Sequence, residues 1–281
     1  MSRTDHVTRP VRLPFRVELA RQLSQWRVRI ALIVLAVLPV VVRIALLVGG
    51  PPASGRSSTT DLTALAQVSG ATFAAFVLVL TGGFLATLVA ALLFGDLIAG
   101  EASRSTLKYL LTVPVPRLRL LGVKVQVATV LLLVGLVALT AVSLLVGVLS
   151  YGPGGIQVPG GPRLAFGDSV LRLLATTGAA AAGLLWAAGL GTLLTVVTDS
   201  PLAAAGGVVL GSILSRILDQ IPALGSLRVV LPTHDSTAFR AFLTTPVDLA
   251  PVADSILSGL IWAIVLGALA AWRFSRKDVS G

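Results

Sequence analysis

An all-α integral membrane protein with six spanning helices is the fold class this sequence predicts, on three observations. Only 12 % of the 281 residues are charged, about half the share of a soluble domain. Hydrophobic residues make up 55 % of the chain, and its mean hydropathy is +0.94. Six segments are long and apolar enough to cross a bilayer core, which needs about 20 residues of helix. The chain has no cysteine, which removes disulfides and thiolate metal sites. Its net charge of +10 sits in short stretches that flank apolar runs, as topology signals do, so nucleic acid is not an expected partner.

The chain divides into one membrane domain. Residues 1–29 form a basic tail, too long for the charged region of a signal peptide. Within it Phe15, Leu19, Leu23, Trp26 and Ile30 fall at helical spacings, in a stripe about 80° wide. Arg16, Arg21, Arg27 and Arg29 lie outside that stripe. This pattern predicts an amphipathic helix lying in the interface, with Trp26 at headgroup level and the arginines toward acidic membrane lipids.

The spans follow at 30–48, 70–95, 125–149, 169–197, 202–217 and 254–272. The glycine- and proline-rich stretches "GGPPASG" at 49–55 and "YGPGGIQVPGGPR" at 151–163 read as loops. Segments 1–29, 95–124, 198–201 and 273–281 carry fifteen Lys and Arg, whereas the loops on the opposite side carry four: Arg56, Arg163, Arg228 and Arg240. The positive-inside rule then places both termini in the cytoplasm, for a multi-pass protein of the inner membrane. Gly189 and Gly206 read as small residues that let spans approach closely.

The segment between spans two and three, 96–124, is patterned. Gly100 can break span two, and Glu101–Thr112 runs without Gly or Pro. Leu107, Leu110 and Leu111 share one helical face, and Glu101, Ser105 and Lys108 another. Pro114 ends this short helix, because the residue before a proline resists the α region. Pro116 can open the next helix, which carries Arg117, Arg119 and Lys124 into span three. From pattern alone, this connector is either a rigid docking piece or a basic amphipathic helix on the bilayer.

The connector "GEASRSTLKYLLTVPVPRLRLLGVK", 100–124, resembles the cytoplasmic signature of permease subunits of ABC transporters of the type-2 exporter class. Glu101, Thr106, Leu107, Leu110, Leu111, Pro114, Val115, Arg117, Leu120, Leu121 and Lys124 carry the match. Ser105 stands where that family often has Gly, and Pro116 where it usually has Ser. The tail with Phe274, Arg276 and Asp278 resembles the family's end. The resemblance implies a dimer with a second permease copy or a homologue, and a separate cytoplasmic ABC ATPase subunit that binds ATP and Mg. It implies an amphiphilic, drug-like, lipid or glycan cargo. The connector would be a coupling helix, with Glu101 as the polar contact to the ATPase and Ser105, Thr106 and the leucines 107, 110 and 111 in its cleft. Arg117 and Lys124 would rest at the headgroups. Segment 218–253 would fold back as short external helices.

Enzyme chemistry has no support in the residues. No G-x-x-x-x-G-K-[ST] loop occurs, and no H-E-x-x-H. The two histidines, His6 and His234, lie outside the spans, so no catalytic or metal residues are expected. Arg43, Arg172 and Arg216 fall within or beside spans, with Arg43 about 20 Å along the first. They read either as snorkelling or locally paired charges, Arg216 with Asp219 at i, i+3, or as a positive lining of the substrate path. A secondary carrier or channel without an ATPase, and a membrane anchor or assembly factor, are the competing readings.

Overall fold

A computed structural model describes residues 15–49, 64–102, 117–158 and 162–276. The described residues form helices and no strand; Gln157 and Arg163 make an isolated bridge in a loop. The helices are α1 (Phe15–Ser24), α2 (Trp26–Val48), α3 (Gly70–Gly82), α4 (Phe84–Gly95), α5 (Ala99–Ala102), α6 (Arg117–Tyr151), α7 (Phe166–Gly183), α8 (Leu185–Val197), α9 (Pro201–Asp219) and α10 (Ala250–Ser275). Two 3₁₀ helices, η1 (Pro222–Val230) and η2 (Ala238–Leu243), lie between α9 and α10.

Five stretches are long and apolar enough to cross a membrane: α2, residues 118–151 of α6, α7 with α8, α9 and α10. The pair α3 and α4 is together long and apolar enough for a sixth, with a bend of 58° at Gly83. This is a multi-pass membrane protein, and its outer surface suits one. Ile33, Val37 and Ile44 on α2, Leu210 and Ile217 on α9, and Ile261 and Ile264 on α10 are exposed, as a surface in hydrocarbon requires.

The observed helices differ from the sequence reading at several places: the helix expected through Phe15–Ile30 breaks at Gln25, span four breaks at Leu184, and spans two and three differ as follows. Span two is not one rod: Gly83 leaves helical geometry, with φ −76° and ψ −86°. The expected break at Gly100 comes earlier, at Gly95–Asp96, and Gly100 lies within α5. Span three and the helix before it are one continuous helix of 35 residues. Of the short helix expected over Glu101–Thr112, only Glu101 and Ala102 are among the described residues.

Helix starts follow local chemistry. Ser69 Oγ accepts from the Thr72 amide at the start of α3, and Ser200 Oγ accepts from the Ala203 amide at the start of α9. Pro201 sits in the first turn of α9, where its missing N–H is no loss.

Inside a bilayer, helices associate by close van der Waals packing rather than by escape from water. Small residues set those contacts. Gly70 of α3 and Gly147 of α6 meet backbone to backbone, and a Cβ at Gly147 would lie 2.5 Å from the Gly70 carbonyl oxygen. Gly189 of α8 abuts Ala263 of α10 in the same manner, as expected. Gly206 does not: open space surrounds it, and Gly95 provides the α4–α9 contact against Ala205 instead.

The chain between α9 and α10 folds back into the bundle. Phe239 of η2 is buried, and its ring rests where a Cβ on Gly82 would be. Gly82 is twelve residues into α3, about 18 Å from its start. Arg172 of α7 holds the end of η2, donating from Nη1 to the carbonyls of Phe242 and Thr244 at 3.3 and 2.8 Å. The end of the bundle with η1 and η2 is called the loop end below, and the opposite end, with α1, the basic end.

Gly147→Ala should lower the unfolding midpoint in detergent, by an amount matching about 1–3 kcal/mol of overpacking. Gly206→Ala should leave it unchanged. Thermal unfolding of the two purified variants side by side checks the assignment.

Candidate functional site

At the basic end, three elements distant in sequence converge on one buried lysine. Lys124 lies in the second turn of α6 and is 2 % exposed. Its Nζ donates to Glu18 Oε1 of α1 at 2.9 Å and to Glu101 Oε1 of α5. Arg21, one turn along α1 from Glu18, also pairs with Glu101. Gln22 closes the group, donating to Glu18 Oε1 and to the Lys124 carbonyl. Two carboxylates and two cations make the cluster neutral, which is how ionised groups are tolerated out of water. Removing one partner leaves an unmatched buried charge, at about 3–5 kcal/mol.

Local folding delivers each group. Glu18 and Gln22 sit at i, i+4 on α1 and are its buried residues. The apolar side chains Phe15, Leu23 and Trp26 are exposed instead. The helix therefore turns its polar face to the protein and leaves apolar side chains outward. Glu101 is held by the α4–α5 corner, where Thr195 Oγ1 of α8 accepts from the amides of Ile98 and Ala99 at 3.0 and 2.9 Å. A Cβ on Gly100 would strike Asp96 Oδ1 at 2.5 Å, so glycine permits this close corner. Asp96 in turn accepts from Arg27 Nη1 of α2 at 3.1 Å.

Several expected roles change. Lys124 was expected at the headgroups, but two carboxylates draw it inside. Glu101 was expected to face an ATPase, yet its side chain is 2 % exposed and turned to Lys124 and Arg21. Arg21 and Arg27 point to Glu101 and Asp96 rather than to lipid. Arg29 donates to the Leu23 carbonyl. Ser105, Thr106, Leu107, Leu110, Leu111 and Pro114 lie outside the described residues, and Arg117 begins α6.

The three span arginines each bind protein. Arg43 stacks on the Tyr151 ring, 4.8 Å from its centroid. Arg172 holds η2. Arg216 does not pair with Asp219; its Nη2 donates to the Gly83 carbonyl at 3.1 Å, where the helix break frees an acceptor. Asp219 meets His234 Nδ1 instead. Beside them burial pushes the Asp235 carboxyl up, with Asp254 and Asp219 adding to the shift and His234 opposing it. No group of three or more His, Cys, Asp or Glu suited to a metal occurs among the described residues.

Sequence reasoning missed Glu18 and Asp96, and misjudged Lys124. The available signal was an acid inside an otherwise basic helix: Glu18 and Asp5 are the acidic residues of 1–29.

Residues 25–198, well over half of the chain, match the family described as ABC-2 family transporter protein. No curated protein matches the chain.

Lys124→Met should lower stability by about 3–5 kcal/mol, because two carboxylates then face one cation. Combining Glu101→Gln with Lys124→Gln leaves Glu18 against Arg21 and should recover most of the loss. The unfolding midpoints of both variants in the same detergent test this pairing.

Proposed function

Because this chain belongs to the ABC-2 transporter family, we propose that it is the permease half of an ATP-driven exporter whose nucleotide chemistry is done by a separate cytoplasmic ATPase. The family match across 25–198, which contains the whole 96–124 connector, is the observation that carries this reading. Two permeases, identical or homologous, would form the path, and the cargo would be amphiphilic, drug-like, lipid or glycan. Fifteen basic residues against four support both termini in the cytoplasm of an inner-membrane protein.

On this reading the connector is a lever stapled at its root. In sequence, residues 103–116 lie between α5, which carries Glu101, and α6, which carries Lys124, and those two side chains are ion-paired. A push on the segment is therefore delivered to one rigid point shared by α1, α5 and α6. Glu101 secures the lever, and docking falls to the apolar residues Leu107, Leu110 and Leu111 with Ser105 and Thr106. Arg43, Arg172 and Arg216 would border the path while holding the elements described above.

Leu110→Asp should leave membrane insertion intact and lower substrate-stimulated ATPase activity of the reconstituted complex about tenfold or more, since a charge in an apolar cleft costs over 1.4 kcal/mol. Undiminished coupling removes the docking assignment. A chain that never co-purifies with an ATPase points to a carrier or channel. Binding without substrate-stimulated hydrolysis points to an anchor.

A further inference from the structure

Between α8, α9 and α10, toward the loop end, lies a cavity of about 210 Å³. Trp186 and Leu190, Leu214 and Leu218, and Trp262 and Leu266 line its three walls, with Leu231 and Pro232 above. Its polar side chain is Ser215, whose hydroxyl is already bonded to Thr233 at 2.7 Å. Water needs two to four polar partners in such a space, and apolar cavities of about 150 Å³ stay dry yet accept a benzene ring. The cavity is therefore suited to apolar matter. The neighbouring side chains Leu210 and Ile217 on α9, and Ile261 and Val265 on α10, are exposed. In a membrane-spanning chain they face hydrocarbon, which puts alkyl chains beside the opening.

A cation sits in the turn that carries the roof residue Leu231. Arg228 of η1 donates from Nη1 to the carbonyl of Asp219, the last residue of α9, at 3.1 Å, and its buried Nε–H has no partner. The Leu231 amide bonds back to the Arg228 carbonyl, so the roof and this arginine form one turn. Trp262 Nε1 donates to the Val230 carbonyl and fixes that turn over the groove. From Asp219 down to Gly211 is eight residues of helix, about 12 Å. The neighbouring carboxylate of Asp219 is engaged by His234.

We infer that this groove binds a phospholipid of the leaflet at the loop end, with one acyl chain between Trp186 and Trp262 and the phosphate at Arg228. An apolar slot of this length under a guanidinium matches a tail joined to an anionic head, and a phosphate accepts from a guanidinium by charge-assisted hydrogen bonds. The site depends on the membrane-spanning arrangement alone and stands whether or not the chain works with an ATPase.

The tryptophans make it measurable. Trp186 is 2 % exposed, out of reach of bulk lipid. A full-length variant keeping Trp186 and Trp262, with Trp26 and Trp272 changed to Phe, is titrated in detergent with phosphatidylglycerol brominated on the acyl chain. Saturable quenching is expected. Adding Arg228→Gln should raise the half-saturating lipid concentration about tenfold. Gly211→Leu should abolish quenching, because even a Cβ there comes within 3.1 Å of Leu190. Native mass spectrometry of the unmodified chain should show a retained phospholipid that Gly211→Leu loses, which keeps the test sound if the tryptophan variant does not fold. Quenching that rises linearly and ignores both substitutions overturns the inference. So does Leu214→Cys forming a disulfide between two copies in membranes with no retained lipid, which makes this face a protomer interface.

Discussion

Everything at the basic end depends on one lysine held between two carboxylates. Lys124 joins Glu18, 106 residues before it, to Glu101, 23 residues before it. Helix packing in a membrane has little apolar driving force to fix orientation. A directional charge pair supplies what packing lacks. α1 has no long apolar face against the bundle, and its buried residues are Glu18 and Gln22. Without the Lys124 side chain, only Arg21 to Glu101 and Gln22 to the residue-124 carbonyl would hold α1 with its polar side inward.

The loop end uses a different device for the same purpose. A helix broken inside a bilayer leaves carbonyls that must find donors. Gly83 is such a break, and Arg216 reaches its carbonyl from α9 while the Thr87 hydroxyl reaches it from the next turn. The arginine is thus retained inside the span for its hydrogen bond. Phe239 then occupies the space beside Gly82 that a side chain would fill. Two irregularities, a bend and a folded-back loop, fit against each other.

This division explains what could be read from the sequence. The spans were legible because apolar length is a local property: 202–217 was expected, and α9 is Pro201–Asp219. The stripe expected from Phe15 to Ile30 is divided, because the helix breaks at Gln25 and leaves Trp26 and Ile30 in α2. The bend was not legible, because "LTGGFLA" is as apolar as any continuous span. Nor were the pairings. Arg216 and Asp219 satisfy an i, i+3 rule, but each finds a stronger partner far away: a free carbonyl at Gly83 and the imidazole of His234. Lys124 carried the features of a headgroup anchor, and a carboxylate in α1 outcompeted water for it.

The bend and the charge cluster together define a mechanical unit. α4 is pinned below by Arg27 to Asp96, by Thr195 to the α4–α5 corner, and through Glu101 to Lys124. Along its length Gly95 lies against Ala205 of α9. Its upper end is Gly83, which breaks the regular helical ladder and is held by the side chains of Arg216 and Thr87. Side-chain hydrogen bonds to one carbonyl yield to bending more readily than a continuous helix does. On the proposed reading, a push at 103–116 would move α1, α4, α5 and the start of α6 as one block. The strain would then collect at Gly83, where the ring of Phe239 rests against the bend. On that reading, a pinned lower half and a bent middle would convert a displacement at the membrane surface into a change of angle within the bilayer.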